Sequence, residues 1–312
     1  MTHLWTPDRG ALKLLESSSS PFNQRGYREA WVRTRLDAVD ASFGGLLPDG
    51  TRGAIALVRV GRRAFSLPLG YGGPVGERPL SADEIAGLLS TARAASGASA
   101  VVSLEVPIGS ASDLPDEGRR QVATTHVVDL AADPADGFSK KARQSIRRAM
   151  RAGAEAQPGT GDATAFVTLY EAAAQGRGTV YPTPLLADLG RAGPARFYDV
   201  AIDGVPVSSV VALVGPEHWM YWAAAQSDAG RHAESGYLAL AAMLTDARAR
   251  SATAVNLGGS ASGGDALEGV AQFKRRFGGQ EVPVFQRRSA TRLFSAAEGA
   301  HTRLQALRSR RR

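Results

Sequence analysis

Between Phe197-Tyr198-Asp199-Val200-Ala201-Ile202 and Pro206-Val207-Ser208-Ser209-Val210-Val211-Ala212-Leu213-Val214 stands Asp203-Gly204. This dipeptide is the strongest short signal for a two-residue hairpin, because both of its residues tolerate positive φ. The pair commits the chain to an antiparallel sheet. A turn at Gly215-Pro216 leads into His218-Trp219-Met220-Tyr221-Trp222-Ala223 as a third strand, and residues 237–250 set Leu238, Ala241, Ala242 and Leu244 inward as a helix. Thr253-Ala254-Val255-Asn256-Leu257 then reads as a buried strand. The same order occurs earlier. Ala54-Ile55-Ala56-Leu57-Val58-Arg59-Val60 and Arg63-Ala64-Phe65-Ser66-Leu67-Pro68-Leu69 flank Gly61-Arg62, and a glycine-rich loop, Gly70-Tyr71-Gly72-Gly73-Pro74, follows. A capping box of Ser81 and Glu84 opens a helix that stops at Gly97, and residues 100–107 make a strand. Hairpin, loop, helix and strand, given twice, predict a duplicated mixed α/β unit whose paired copies form a two-lobed body with a cleft.

The segments outside the two copies are less regular. Ser17-Ser18-Ser19-Ser20-Pro21 reads as a linker or helix-initiating loop, residues 23–39 as an amphipathic helix, and residues 111–137 as largely unpatterned apart from Val127-Val128-Asp129-Leu130. Between the copies, Ser139 caps a helix that ends at Gly153, with Ala142, Ile146, Ala149 and Met150 on its apolar face and cations around the rest. The expected division is residues 1–138 as a first domain, 139–158 as a basic connecting helix, and 159–312 as a second domain with a basic tail.

Charge narrows the choice of partner. Of a formal net charge of +7, residues 274–312 carry +9 and residues 139–153 carry +6, which leaves about −8 on everything else. Cations gathered on two segments of a mildly acidic body are the footprint of a polyanion. The chain has no cysteine and only five scattered histidines, which rules out disulfides and a thiol nucleophile and argues against a metal site. Its polar start and the lack of any apolar run near the ~20 residues of a bilayer span make the cytoplasm the expected location.

Several words in this order resemble the Fem family of aminoacyl and peptidyl transferases, built from tandem acyltransferase domains of the GNAT superfamily. They are Tyr71-Gly72-Gly73-Pro74, Glu105-Val106-Pro107, the basic helix around Arg143 to Arg147, Asp203-Gly204-Val205-Pro206, and Asn256-Leu257-Gly258-Gly259 followed by Phe273-Lys274 and Phe277-Gly278-Gly279. The resemblance implies two packed GNAT-like domains and an enzyme that moves an aminoacyl group from aminoacyl-tRNA to an amine. It implies Lys274 as the residue that stabilises developing negative charge. Tyr71, Gly72, Gly73, Arg177, Tyr181, Tyr221, Trp222 and Phe273 are the expected substrate-binding residues, and Lys140, Lys141, Arg143, Arg147, Arg148, Arg151, Arg275 and Arg276 the expected tRNA-binding cations. The long helical arm of the cell-wall members has no room in this chain. The acceptor is then a small-molecule amine of natural-product type or, failing that, a cell-wall precursor.

Two other readings stand beside this one. An acyl-CoA-dependent N-acyltransferase would bind pyrophosphate on backbone amides at a helix N-terminus, where this chain has Arg231-His232-Ala233-Glu234-Ser235-Gly236 with an acid in its midst. A non-catalytic RNA-binding protein would explain the cations but leaves the cleft idle. No resident cofactor and no metal are expected.

Overall fold

A computed structural model describes residues 5–35, 37–61, 63–65, 72–108, 114–174, 181–259 and 265–297. In chain order the first half contains β1 (Thr6–Pro7), α1 (Lys13–Glu16), α2 (Arg25–Thr34), β2 (Ala38–Asp40), β3 (Phe43–Leu46), β4 (Arg52–Ile55), β5 (Val58–Val60), β6 (Arg63–Phe65), β7 (Pro74–Gly76), α3 (Ala82–Ala95), β8 (Ala100–Glu105) and β9 (Arg120–Asp129). The second half begins with α4 (Lys140–Arg151), β10 (Ala154–Ala156), α5 (Thr164–Ala174), α6 (Thr183–Arg191), β11 (Ala195–Ile202), β12 (Val205–Val214) and β13 (His218–Gln226). It ends with α7 (Asp228–Ala233), α8 (Ser235–Ala249), β14 (Ala254–Gly259), α9 (Asp265–Arg275) and β15 (Gln280–Ala290).

Eleven strands form one sheet in the order β10-β11-β12-β13-β14-β9-β15-β8-β6-β5-β2, and β1-β3-β4-β7 form a smaller one. The hairpin at Asp203-Gly204 forms as its sequence dictates, with Asp203 at φ 50° and Gly204 at φ 76° joining β11 to β12. Strand β12 is apolar almost throughout because helices cover both of its faces. Val211 and Leu213 pack on one side among Phe166, Leu185 and Phe197, while Val210 and Ala212 face Leu240, Met243 and Leu244 of α8 on the other. Each such large side chain, fully buried, contributes about 1.5–3 kcal/mol.

The halves are interleaved. β9 leaves the first half to pair with β14 (Ala254↔Asp129, Val255↔Val128), and β15 returns from the second half to lie between β9 and β8 (Arg288↔Val102). Three sequence expectations change. The run from Ala54 to Val60 is two strands in different sheets: the chain crosses at Ala56-Leu57, where Leu57 is held by Ser42 Oγ and by the Ala41 amide. Residues 120–126, read as unpatterned, join Val127-Val128-Asp129 in one full strand, paired on both edges. On α4, Met150 points outward at 59% exposure, and the docked face is Ala142, Ser145 and Ala149 against α8. Among the described residues no helix is long and apolar enough to cross a membrane.

Candidate active site

β13 and β14 run parallel from His218↔Ala254 to Met220↔Asn256 and then part, although β13 continues to Gln226 and β14 to Gly259. A register shift against β12 falls at the same level: Val211 faces Ala223 and Ala212 faces Tyr221, so Trp222 is a bulge residue. The gap leaves carbonyls at the end of β14 without a strand partner from β13. Lys274 of α9 fills that role, its Nζ donating to Gly258 O at 2.9 Å and to Gly259 O at 2.8 Å. Only 4% of Lys274 is exposed, and burial brings its pKa down to about 8. At neutral pH it is an ammonium with two N–H groups engaged and a third available. Gly258 makes this approach possible: its φ is 82°, and a side chain there would reach 3.4 Å from Nζ. Asn256 fixes the strand end, accepting at Oδ1 from Gly258 N (2.8 Å) and Thr125 Oγ1 (2.5 Å).

Met220 and Asn256 also belong to the wall of a narrow cleft that joins the halves, open to solvent and with about 40 Å³ of free cavity volume. Its other wall is residues 18–23, which cap a buried 3-10 turn (Pro21–Asn23) through Ser20, together with Gly72, Gly73 and the end of β8. Asn23 Nδ2 holds the glycine loop by donating to Gly72 O at 2.9 Å, and Gly73 needs its freedom at φ 55°. The segment read as a linker or helix-initiating loop does start a helical turn, at Ser20, and is also a wall of the site. Asn23 and His218 are cleft residues that sequence reasoning missed; a lone histidine opening a strand and an asparagine behind a serine run carry no pattern.

The expected substrate residues separate. Gly72 and Gly73 face the cleft. Tyr181 and Trp222 pack with their rings tilted 40° and centroids 4.2 Å apart, inside the core shared with Tyr27 and Trp31. Tyr221 is half-buried, its phenol pushed up to about 12 by burial. Phe273 packs edge-on against Tyr237 at 4.8 Å and Phe277 at 5.2 Å, bracing α9 on α8. Tyr71 and Arg177 lie outside the described residues.

The cations do come together. Lys140, Lys141, Arg143, Arg147, Arg148 and Arg151 are all exposed on α4, and the start of that helix abuts the end of α9. Ser139 N donates to Arg276 O at 2.8 Å, and the Phe138 and Phe277 rings meet at 5.0 Å. Arg276 reaches Tyr237 Oη at 2.5 Å, and Arg275 is exposed and paired with Glu281 at 3.2 Å. The basic tail beyond 297 lies outside the described residues.

The N-termini of α8 and α3 are hemmed in by the chain itself. At α8, Glu234 turns the chain at φ 58°, α7 packs against the end, and a Cβ on Gly236 would fall on the Gln226 side chain. Burial alone would raise the Glu234 carboxyl, but the hydrogen bond from Lys141 (2.8 Å) and the cations of α4 hold it below the usual range. At α3 the end is closed by the Ser81–Glu84 box, with Glu84 brought down to about 2 chiefly by Arg78.

Residues 140–275 match the family model described as the acetyltransferase (GNAT) domain. Over the 89% of the chain that superposes, the fold is the Fem-like GNAT fold. The crystal structure of FemX superposes with a TM-score of 0.66 at 14% identity, over 89% of this chain and 95% of that one. A domain provisionally described as the C-terminal part of a lysylphosphatidylglycerol synthetase from Agrobacterium fabrum superposes at 0.56 and 17% identity, covering 88% of this chain and 89% of its own. A tandem GNAT protein from the clavulanic acid biosynthesis pathway gives 0.50 at 17% identity, over 90% and 94% of the two chains. No curated protein sequence matches. The fold is of the GNAT type, and residues 140–275 carry the matched acetyltransferase domain.

Proposed function

We propose that the protein is an aminoacyltransferase that takes its acyl group from aminoacyl-tRNA and joins it in amide linkage to an amine. The observation that carries the donor is the crowding of the helix N-terminus beyond the β13–β14 gap, where α7 packs against the first turn, the Gln226 side chain lies over Gly236, and Glu234 adds a carboxylate that a pyrophosphate would have to approach. A nearby surface instead gathers the cations of α4 and the end of α9, which suits a phosphate backbone. An aminoacyl ester is already activated, so positioning and charge stabilisation are the protein's main tasks. The ester carbonyl sits at the strand gap, the third Lys274 N–H receives the oxyanion, and the amine attacks from the interlobe cleft.

The acceptor is a small-molecule amine of natural-product type rather than a cell-wall precursor. Among the described residues no helix exceeds the 15 residues of α8, so no long helical arm stands over the cleft. A second reading, an acyl-CoA-dependent N-acyltransferase, is favoured by the GNAT match and by the tandem GNAT neighbour, whose description refers to AcCoA. Equilibrium binding separates them. Charged tRNA is expected to bind in the micromolar range or tighter with steep salt dependence, and acetyl-CoA not to compete; tight acetyl-CoA binding with no affinity for tRNA would reverse the assignment.

A further inference from the structure

Among the described residues, the walls of the interlobe cleft contain no lysine, arginine, aspartate or glutamate. Phe22, Val75, Val106 and Ile108 give it an apolar lining, and two polar side chains in it have unused capacity to accept hydrogen bonds. Asn23 is fully buried, its Nδ2 donates to Ser18 Oγ (2.8 Å) and Gly72 O (2.9 Å), and its Oδ1 has no partner. The amide orientation is set by its neighbours, since turning it over would bring Oδ1 against the Gly72 carbonyl. That oxygen is enclosed against Gly72, where a Cβ would stand 2.7 Å from it.

His218 is the second acceptor. It is 5% exposed, and among the described residues neither ring nitrogen makes a hydrogen bond. Burial lowers its pKa against the weaker opposing pull of Glu217, so the ring is neutral at pH 7 and one nitrogen has a free lone pair. The same short segment supports both residues, for the Ser19 carbonyl accepts from His218 N at 3.2 Å. His218 precedes by two residues the Met220↔Asn256 pair at which the strands part, which puts it roughly 7 Å along the strand from the gap.

We infer that this cleft is the acceptor site and that it takes a phosphate-free primary amine with an apolar body, bound through N–H to His218 and through a second N–H or O–H to Asn23 Oδ1. A nucleotide-linked acceptor would bring a diphosphate into a cleft whose described walls offer no cation. The inference rests on the acyltransferase reading but not on the identity of the donor. As the neutral amine's lone pair forms the new C–N bond, the donor's acyl bond breaks, to oxygen in an ester or to sulfur in a thioester; the proton leaving nitrogen passes to His218 and from there to the departing oxygen or sulfur. His218 is thus a catalytic residue, and Asn23 fixes the acceptor's orientation.

The binding test uses the full chain without any donor, so it is independent of the tRNA assignment. Tyramine and 6-aminohexanol, each compared with its O-phosphate ester, are titrated by calorimetry into the wild type, Asn23→Ala and Gly72→Ala. At least one free amine is expected to bind, at least tenfold more tightly than its ester, and each substitution to weaken it at least tenfold while near-native circular dichroism is kept. For the proton step, His218→Gln, which retains an acceptor, is assayed with whichever donor supports wild-type turnover. Its kcat is expected to fall at least a hundredfold while amine affinity changes less than threefold. Tighter binding of the phosphate esters, no binding of either amine, or affinities indifferent to both Asn23 and Gly72 would overturn the site; unchanged kcat in His218→Gln would overturn the proton step.

Discussion

Lys274 Nζ lies 2.9 Å from Gly258 O and has no carboxylate partner among the described residues, so its positive charge is held by carbonyl dipoles at the edge of the strand gap. Charge held this way is not neutralised by a nearby acid and remains available to a developing oxyanion. Lys274→Ala is expected to reduce turnover by roughly 10²–10³, the usual loss for one oxyanion donor, with the melting temperature little lowered. Near-normal rates would remove Lys274 from the chemistry.

The pKa of about 8 also makes a pH prediction. Activity that needs the ammonium falls as pH rises through about 8. The stability effect has the opposite sign: the folded-state pKa lies below the unfolded value, so between about 8 and the ordinary lysine range near ~10.4 the unfolded chain binds more protons, and folding gains stability with rising pH. A rate profile from pH 6 to 10 checks the first limb, and Lys274→Arg should move that limb out of the range. Denaturation curves of wild type and Lys274→Met across the same pH interval check the second.

Gly258→Ala tests the strand end separately. At φ 82° an alanine is strained by about 1–3 kcal/mol, and its methyl crowds Nζ at 3.4 Å. Urea denaturation should register the loss of stability, and the rate should fall with it.

Glu105 on β8 and Arg287 on β15 form a buried ion pair in which Arg287 Nε donates to both carboxylate oxygens, at 2.9 and 3.1 Å, and Arg287 also donates to the carbonyls of Pro115 and Glu117. It couples a strand of the first half to the last strand of the second. Removing one partner, as in Arg287→Met, leaves a buried charge alone and should cost about 3–5 kcal/mol. The double variant Glu105→Leu/Arg287→Met should recover much of that, measured as the urea midpoint of each protein.

Much of this was legible in the sequence because it is local. The Asp203-Gly204 turn, the capped helix α3 and the cationic surface of α4 are written in adjacent residues, and so is the Phe273-Lys274 word at the end of α9. The exchange of β9 and β15 between halves is not local: Val127 pairs with Asn256 and Gln280, partners no periodicity within residues 120–129 can name. The same holds for the cleft. Asn23, Gly72 and His218 meet only after the halves pack, and Tyr181 and Trp222, aromatic residues that looked like pocket walls, are instead core.

Neutralising Arg147, Arg148 and Arg151 together should flatten the dependence of log affinity for tRNA on log salt by about 2–3, near one unit per lost phosphate contact. Filter binding between 50 and 300 mM KCl gives the slope; an unchanged slope would make α4 a solvated face and nothing more.

The donor is the centre of the account, and its direct measurement is amide formation from charged tRNA or acyl-CoA with a panel of amines, with and without ribonuclease. Formation from aminoacyl-tRNA that ribonuclease abolishes is the expected result. Amide formation that requires acyl-CoA and survives ribonuclease would contradict it.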